Sequence, residues 1–476
     1  MSLLVATAQI VGVAALALVV LQNVVYLAAT VLAVVEMKRN RELKRRTTAT
    51  WLLSTRATPG ISLLVPAHNE ERTIVENIHS LLTLRYASFE IIVVNDGSRD
   101  ATARRVIEAF HLQRVEIARP LHLGHKPVRG VYCCRDYPNL LFIDKDNGGK
   151  ADALNAAINY SRHPLVCAVD ADSLLDHHAL LRAARPFVDH PAELVAVGGT
   201  IRIANGCEIR NGTVLRERAP RRLLPLFQAI EYLRSFLIAR LAFSRIDTVS
   251  IISGAFGLFK RSAVVQVGGY TQGTVGEDME LIIKLHRYFS EHRQRYHILF
   301  VPDPVCWTEA PENIRVLRRQ RTRWQRGLCE TLWKHRDMVF NPRFGRIGVL
   351  GLPQFALFDI LGPALELAGF LLLPLLGLAG LLSWNFVAAY FAVSVFFGIF
   401  LSVMALVLAE FTLFSSTSKR DMISYAAAAI VENFGYRQLN SLWRIEGIWQ
   451  FLRRRREWGE MTRTGFEQTK PGGVEV

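Results

Sequence analysis

The sequence predicts an α/β domain built on a mainly parallel sheet and set between apolar segments long enough to cross a membrane. Three observations carry this reading. From Ile61 onward, short apolar runs alternate with helical patterns, the β-α-β-α order of a parallel sheet with helices on its faces. One such run, Leu165–Val169, ends abruptly on Asp170-Ala171-Asp172. Uncharged blocks flank the domain: no charged residue precedes Glu36, and only Asp359, Glu366 and Glu410 interrupt the stretch from Ile347 to Leu413.

The 476 residues are half hydrophobic and carry a formal net charge of +15. Apolar and basic segments are segregated, which suits a membrane protein with a positive cytoplasmic side. A nucleic-acid binder would be as basic but would lack the long uncharged blocks, so no nucleic-acid partner is expected. Cys133, Cys134, Cys167, Cys207, Cys306 and Cys329 show no metal-ligand spacing and read as free thiols in a reducing compartment.

Leu3–Val35 is long enough to cross a hydrocarbon core of ~30 Å, so residues 1–36 are expected to be a transmembrane helix. A signal peptide would have a shorter apolar core and a small-residue cleavage site. Residues 37–59 form a basic linker with Lys38, Arg39, Arg41, Lys44, Arg45, Arg46 and Arg56, placed in the cytoplasm by the positive-inside rule.

The soluble domain is expected over residues 60–310. Ile61–Val65 reads as a strand closed by Pro66, and Asn69 as the cap of a helix with Ile74, Ile78, Leu81 and Leu82 on one face. Glu90–Val94 is a second strand, running into Asn95-Asp96-Gly97-Ser98, followed by a helix over Ala101–Phe110. Asp96 at a strand end can accept hydrogen bonds from a nucleotide base or ribose; a D-G turn is the plainer alternative. The run Leu165–Val169 is the strand that matters most. Residues two apart on a strand point the same way, so Asp170 and Asp172 are aimed together into the crevice at the sheet's carboxyl edge. Two like charges held there call for a cation, and Mg²⁺ or Mn²⁺ shared with substrate phosphates fits. The alternative is a polar turn capping a helix over Leu174–Ala184.

Upstream, Gly148 and Gly149 let the backbone approach a ligand, and Lys150 opens a helix over Ala151–Tyr160, where anions are favoured. The spacing is not that of a Walker A loop; a pyrophosphate contact and a solvated lysine both remain compatible with it. Glu193–Ile203 reads as a strand and Leu223–Ile246 as a long helix, on the membrane surface or against the core. The small residues Ser253 and Gly254 admit a close backbone approach to a ligand. Gly276-Glu277-Asp278 precedes a helix over Met279–Tyr288, where a carboxylate either serves chemistry or complements the dipole.

The segments VPAHNEE, VVNDGSRD, GGKADALNAA and AVDADS, in this order, resemble the catalytic domain of glycosyltransferase family 2, of the GT-A type. The resemblance implies a Rossmann-like cytosolic domain inserted between transmembrane and interfacial helices, a nucleotide-activated sugar donor and a divalent metal. It implies that Asp96 contacts the uracil of a UDP-sugar, with Glu70, Lys150, Asp170, Asp172 and Arg323 also in the donor site. Asp170 and Asp172 would be the metal-binding D-x-D pair, with Asp172 nearest the ion. Asp278 would be the catalytic base, taking the proton of an acceptor hydroxyl as it attacks the anomeric carbon. Ser253 and Gly254 would lie at the acceptor end. Direct displacement inverts the anomeric centre, giving a β-link from an α-linked donor.

Residues 311–346 are expected to form a basic interfacial helix. Within its core, Glu312–Arg336, Gln320, Arg323 and Trp324 share one face. This Q-x-x-R-W resembles the mark of processive family 2 enzymes such as cellulose, hyaluronan and poly-N-acetylglucosamine synthases. The resemblance implies a channel mouth with Trp324 stacked on the acceptor sugar. Residues 347–414 should contain two or more transmembrane helices, with Pro363–Leu382 and Phe386–Leu413 each long enough to span. Gly348–Leu361 is short, and interfacial or part of a kinked helix. Asp359 and Glu366 at membrane depth should face a channel or a protein contact. The tail, 415–476, suits an amphipathic helix on the cytoplasmic surface with Arg453–Arg456 near anionic lipid, and no second soluble domain is expected after it.

The expected activity is therefore an inverting, metal-dependent polymerisation of a UDP-sugar at an inner-membrane, multi-pass protein with its catalytic domain in the cytoplasm. Its partners would be the donor, the growing glycan, the bilayer and small accessory or export subunits. The competing readings are a non-processive enzyme adding one sugar to a lipid or short glycan, and a catalytically silent scaffold of the same fold.

Overall fold

The computed structural model describes residues 2–46, 58–210, 212–412 and 418–453. The described chain forms two compact units. One holds residues 38–46, 58–210, 212–220 and 249–310; the other holds residues 2–37, 221–248 and the described chain from 311 onward.

The chain opens with a long helix, α1 (Ser2–Arg46). The sheet unit follows, with β1 (Ile61–Ala67), α2 (Ile74–Leu82), β2 (Phe89–Asp96), α3 (Thr102–Ala109), β3 (Gln113–Val115), β4 (Val128–Cys133), β5 (Leu140–Lys145), α4 (Lys150–Tyr160) and β6 (Leu165–Val169). Next come β7 (Leu174–Leu175), α5 (Ala179–Asp189), β8 (Leu194–Ile203) and the small hairpin β9 (Glu208–Arg210) and β10 (Thr213–Arg216). After an excursion into the other unit, β11 (Phe256–Lys260), α8 (Arg261–Gln266), α9 (Glu277–Glu291) and β12 (His297–Thr308) complete it; that excursion holds α6 (Leu223–Leu233) and α7 (Leu241–Arg245), joined by a π-type winding over Arg234–Arg240.

Ten described strands form one sheet in the order β3-β4-β5-β2-β1-β6-β11-β8-β12-β7. The block β5-β2-β1-β6 is parallel throughout. β8 and β12 are parallel to each other, while β11 runs antiparallel between β6 and β8. β6 and β8 are buried at every position, as expected of strands covered on both faces. α4 is buried along most of its length, polar residues included, and those residues pin neighbouring loops. Asn155 exchanges two hydrogen bonds with the Tyr270 backbone, at 2.8 and 2.9 Å. Asn159 Oδ1 accepts the His122 and Leu123 N–H groups.

Several local expectations are revised. β1 continues through Pro66 to Ala67; beyond Leu64 it has lost β6 as a partner, so a residue without an N–H is tolerated there. Asn69 does not cap α2, whose first flanking residue is Thr73. It sits at φ 57°, accepts the Arg99 N–H at 2.9 Å and donates its own N–H to Ser98 Oγ at 3.0 Å, stitching the loop after β1 to the loop after β2. Leu174–Ala184 is not one helix: Leu174–Leu175 pairs with β12, and α5 starts at Ala179. The strands β4, β5, β11 and the longer β12 carry no turn-bounded alternation strong enough to have singled them out.

The second unit continues with α10 (Ile314–Lys334), α11 (Gly362–Leu378), α12 (Trp384–Thr412), α13 (Lys419–Val431) and α14 (Tyr436–Leu452). Among the described residues, three helical stretches are long and apolar enough to cross a membrane: Val5–Glu42, Ile347–Leu378 and Trp384–Phe411. Gly348–Leu361 thus runs on into α11, through π-type windings at Ile347–Gly351 and Phe355–Leu361. Ala15 and Val19 of α1 pack with Leu373, Val387 and Tyr390. Gly369 is required there, since a Cβ would stand 2.1 Å from the Tyr390 hydroxyl.

Asp359 and Glu366 make protein contacts, and their partners come from the tail. Arg444 on α14 pairs with Asp359 at 2.7 Å, and Arg437 pairs with Glu366 at 2.7 Å. α14 also lies close to α10: a Cβ on Gly447 would meet the Thr322 carbonyl at 2.7 Å. The helix therefore spends two of its basic side chains on partly buried acids. Arg454, Arg455 and Arg456, expected beside lipid, lie outside the described residues.

Candidate active site

Because β5, β2, β1 and β6 are parallel, their carboxyl ends share one edge. That edge presents Lys145, Asp96, His68 and Asp170 from four different strands or the residues just beyond them. β11 runs the other way, with Phe256 opposite Val169. Its entering segment, Ser253-Gly254-Ala255, is thereby delivered to the same edge that β6 leaves.

Asp96 is 3% exposed, and its carboxylate organises the glycine loop. Oδ1 accepts the Lys145 ammonium at 2.7 Å and the Gly148 N–H at 3.0 Å; Oδ2 accepts the Gly149 N–H at 2.7 Å. The Asn147 amide donates to the Asp96 carbonyl at 2.8 Å. Lys145 is fully buried and also pairs with Asp152 at 2.5 Å. Asp152 in turn accepts the Lys126 N–H and the Gln272 amide. Sequence reasoning missed Lys145 and Asp152. The signal was the alternation of sign in Asp144-Lys145-Asp146 and Lys150-Ala151-Asp152, which reads as a solvated face unless the strand end is known to be covered.

Glu70 lies in the turn before α2. Its carboxylate accepts the Thr73 hydroxyl at 3.0 Å, and its N–H donates to Thr102 Oγ1 at 2.9 Å. Nearby, Glu71 accepts the Ala101 N–H while Asp100 accepts the Glu71 N–H. The loops after β1 and β2 are thus tied into one wall.

The second cluster surrounds Lys150. Its ammonium stands 2.5 Å from Asp170 Oδ1 and 3.8 Å from Glu277 Oε1. A Cβ on Gly254 would meet that ammonium at 2.7 Å and Asp278 Oδ2 at 3.8 Å, so a small residue is what lets these groups converge. Asp278 opens α9: Oδ2 accepts the Gly254 N–H at 3.2 Å and Oδ1 the Met279 N–H at 2.8 Å. Ser253 Oγ accepts the Ala255 N–H at 3.4 Å. Burial disfavours the charged form of Lys150, yet Asp170, Glu277 and Asp278 outweigh it and hold its pKa above the ordinary value. Burial pushes the Glu277 carboxyl up to about 7, with Lys150 opposing and Asp278 reinforcing the rise. Glu277 was the overlooked member of its tripeptide, because a helix-start acid is ordinarily a dipole partner.

Asp170 and Asp172 lie beyond the end of β6, at a turn, and not on the strand itself. β6 stops at Val169, and the Ser173 N–H donates to the Asp170 carbonyl at 3.0 Å. Behind them lies the buried Cys306 thiol, whose pKa is pushed up by burial and by both aspartates. Among the described residues no group of three or more His, Cys, Asp or Glu side chains gathers in metal-binding geometry. Two carboxylates leave most positions of a divalent ion to diphosphate and water oxygens, as Mg²⁺ and Mn²⁺ accept. The donor set fits.

Gln320, Arg323 and Trp324 belong to the other unit, on α10. Trp324 is 43% exposed.

The pattern described as "Glycosyltransferase like family 2" matches residues 59–327, more than half of the chain. The chain belongs to this family. Among curated relatives, poly-β-1,6-N-acetyl-D-glucosamine synthase of Staphylococcus aureus (strain COL) is 31% identical over 274 residues, covering 57% of this chain and 55% of the relative. The enzyme of the same name from Staphylococcus epidermidis is 32% identical over the same length. The match therefore spans about half the length of these relatives. Among solved structures, the mannosyltransferase PcManGT from Pyrobaculum calidifontis, in complex with GDP-Man and Mn²⁺, is similar with a TM-score of 0.50 at 18% identity. That likeness covers 90% of this chain and 98% of the other, and it identifies the fold. The sheet unit of this family 2 glycosyltransferase is thus of the GT-A type, with a mixed, mostly parallel sheet.

Proposed function

We propose that this family 2 glycosyltransferase polymerises the sugar of a UDP-sugar into a β-linked polysaccharide and passes the chain across the membrane. The observation that carries the reading is the convergence of Asp170 and Glu277 on Lys150, which with Asp278 flanks the small residue Gly254 at one sheet edge. A cation between carboxylates, beside a glycine, suits a diphosphate leaving group next to an acceptor hydroxyl.

In this reading, Asp278 receives the proton of the acceptor hydroxyl. Its two N–H donors, Gly254 and Met279, fix the carboxylate's orientation and leave a further lone-pair position on each oxygen. Lys150, at the start of α4, balances diphosphate charge. Asp170 and Asp172 would hold a divalent ion, which when bound neutralises charge building on the departing UDP. Asp96 and Glu70 shape the nucleotide wall; the base contact of Asp96 would be made from within its network with Lys145 and the glycine loop. Arg323 completes the donor site, while Trp324, Gln320, Ser253 and Gly254 serve the acceptor.

Processivity is supported by Q-x-x-R-W followed directly by helices long enough to cross a membrane. The names of the curated relatives put UDP-N-acetylglucosamine first among donors to test. The basic segments flanking the apolar ones support an inner-membrane, multi-pass protein with its catalytic unit in the cytoplasm; small accessory or export subunits are further partners in this reading.

The test is turnover by the purified full chain in lipid or detergent, with a panel of UDP-sugars and Mg²⁺ or Mn²⁺, following UDP release and product size. High-molecular-weight polymer from one donor supports the proposal and names the sugar. Products of a single addition would replace it with the non-processive reading, and UDP binding without turnover with any donor would replace it with the scaffold.

A further inference from the structure

Q-x-x-R-W leaves open the two residues between Gln320 and Arg323, and the cationic one of them is Arg321. It is 6% exposed, in contrast to its half-exposed neighbour in the motif, Trp324. Its guanidinium carbon stands 4.6 Å from the centre of the Trp324 ring. Positions 321 and 324 are one helical turn apart, so they share a face of α10. The same guanidinium makes a fork with the Glu231 carboxylate of α6, with Nη1 donating to Oε1 at 3.0 Å and Nη2 to Oε2 at 2.8 Å. Glu231 is a junction. It also accepts the Tyr436 hydroxyl at 3.0 Å and the Asn440 amide at 3.3 Å, both from α14. Burial and the Glu231 charge push the Tyr436 phenol well above its ordinary pKa, so the hydroxyl stays a donor at physiological pH.

We propose that Arg321, anchored by Glu231, is a positioning residue that fixes the Trp324 ring and covers one of its faces, so that an acceptor sugar stacks on the other. This rests on the acceptor role proposed for Trp324. A tryptophan on a half-exposed helix face would otherwise exchange rotamers. A planar cation on one face, itself held by two parallel hydrogen bonds, removes that freedom before the sugar arrives. Lysine cannot substitute, because its point charge offers neither the fork nor the plane. The junction also makes α14 part of the support.

The experiment is ¹⁹F NMR of the full chain labelled with 5-fluorotryptophan in detergent micelles, with the Trp324 resonance assigned by Trp324→Phe. Arg321→Met, Arg321→Lys and Glu231→Gln should each shift and broaden that resonance while those of Trp307 and Trp384 stay in place. With UDP-N-acetylglucosamine and an added N-acetylglucosamine oligosaccharide as probes, the acceptor KM should rise about two- to ten-fold, the cost of ordering one side chain on binding. The donor KM should stay within about two-fold of wild type. A Trp324 resonance unmoved by Arg321→Met and Glu231→Gln overturns the proposal, as does full recovery with Arg321→Lys. Should Arg321→Met disturb every tryptophan, Tyr436→Phe decides, since it removes one hydroxyl from the junction: a smaller shift of Trp324 alone supports the link and none refutes it. A moved resonance with an unchanged acceptor KM would sink the acceptor role of Trp324 and leave the positional link standing.

Discussion

Replacing Lys145 by methionine tests the reading of the glycine loop. The ammonium is fully buried between Asp96 at 2.7 Å and Asp152 at 2.5 Å, and it also donates to the Asp146 carbonyl at 2.6 Å. Methionine fills most of the volume, so the loss is electrostatic: two buried carboxylates keep their charge without their shared cation. Breaking a buried pair from one side costs about 3–5 kcal/mol. Here Asp96 retains two backbone N–H groups, and Asp152 retains Lys126 N–H and Gln272, which argues for the lower end, about 3 kcal/mol. For a unit of this size that corresponds to a fall in Tm of roughly 6–12 °C. Thermal unfolding of the detergent-solubilised chain measures it. Hydrogen exchange over 145–152 should show that loop opening first. Adding Asp152→Asn should return part of the loss, because it removes one of the orphaned charges. A Tm within about 1 °C of wild type, or no recovery in the double variant, would refute the assignment of Lys145 as the clamp of this loop.

Three further outcomes are expected. Asp278→Asn keeps the size of the side chain but leaves one acceptor oxygen for the Gly254 and Met279 N–H groups, and it removes the base; transfer should fall about 10²–10⁴-fold while UDP binding by calorimetry changes little. Asp172→Ala should weaken UDP binding in the presence of Mn²⁺ far more than in its absence, and equal affinities under both conditions would remove Asp172 from the metal site. For Glu277, the folded-state pKa of about 7 lies above the ordinary 4.5, so the fold prefers the protonated form. That preference is worth about 3 kcal/mol, fully present below pH 4.5 and lost as pH rises through 7, with Lys150, Asp278 and Asp170 as the facing charges. Glu277→Gln should flatten the dependence of Tm on pH across this window.

The features legible in the sequence were those written in local pattern. Apolar runs that stop on acids marked the carboxyl edge of β2 and β6, and the period of α10 put Gln320, Arg323 and Trp324 on one face. What escaped depended on pairing between distant residues. A lysine at a strand end is normally solvated, and nothing local says that Lys145 is covered and neutralised from both β2 and α4. Arg437 and Arg444 read as cations for a lipid surface, because no spacing rule connects them to Glu366 and Asp359. Asn69 looked like a helix cap because the residue type suits both a cap and a left-handed turn, and the turn won once Arg99 and Ser98 supplied partners. Asp170 and Asp172 read as neighbours on one strand, but β6 ends at Val169 and Asp172 lies in the turn beyond it, so alternation does not act on them.

The pairing of Asp359 with Arg444 also has a bearing on how the chain is made. The two residues are 85 apart. At a synthesis rate of ~5–20 residues per second, the arginine leaves the ribosome several seconds after the aspartate. During that interval the stretch Ile347–Leu378 carries two acids with no counter-charge from α14, and a bare acid is costly at bilayer depth. Under the membrane placement proposed above, the order of synthesis favours a late, joint insertion in which this stretch settles only when the tail helix is complete. Chains halted before Tyr436 should leave it accessible to water-soluble labels, and chains released after Leu452 should protect it.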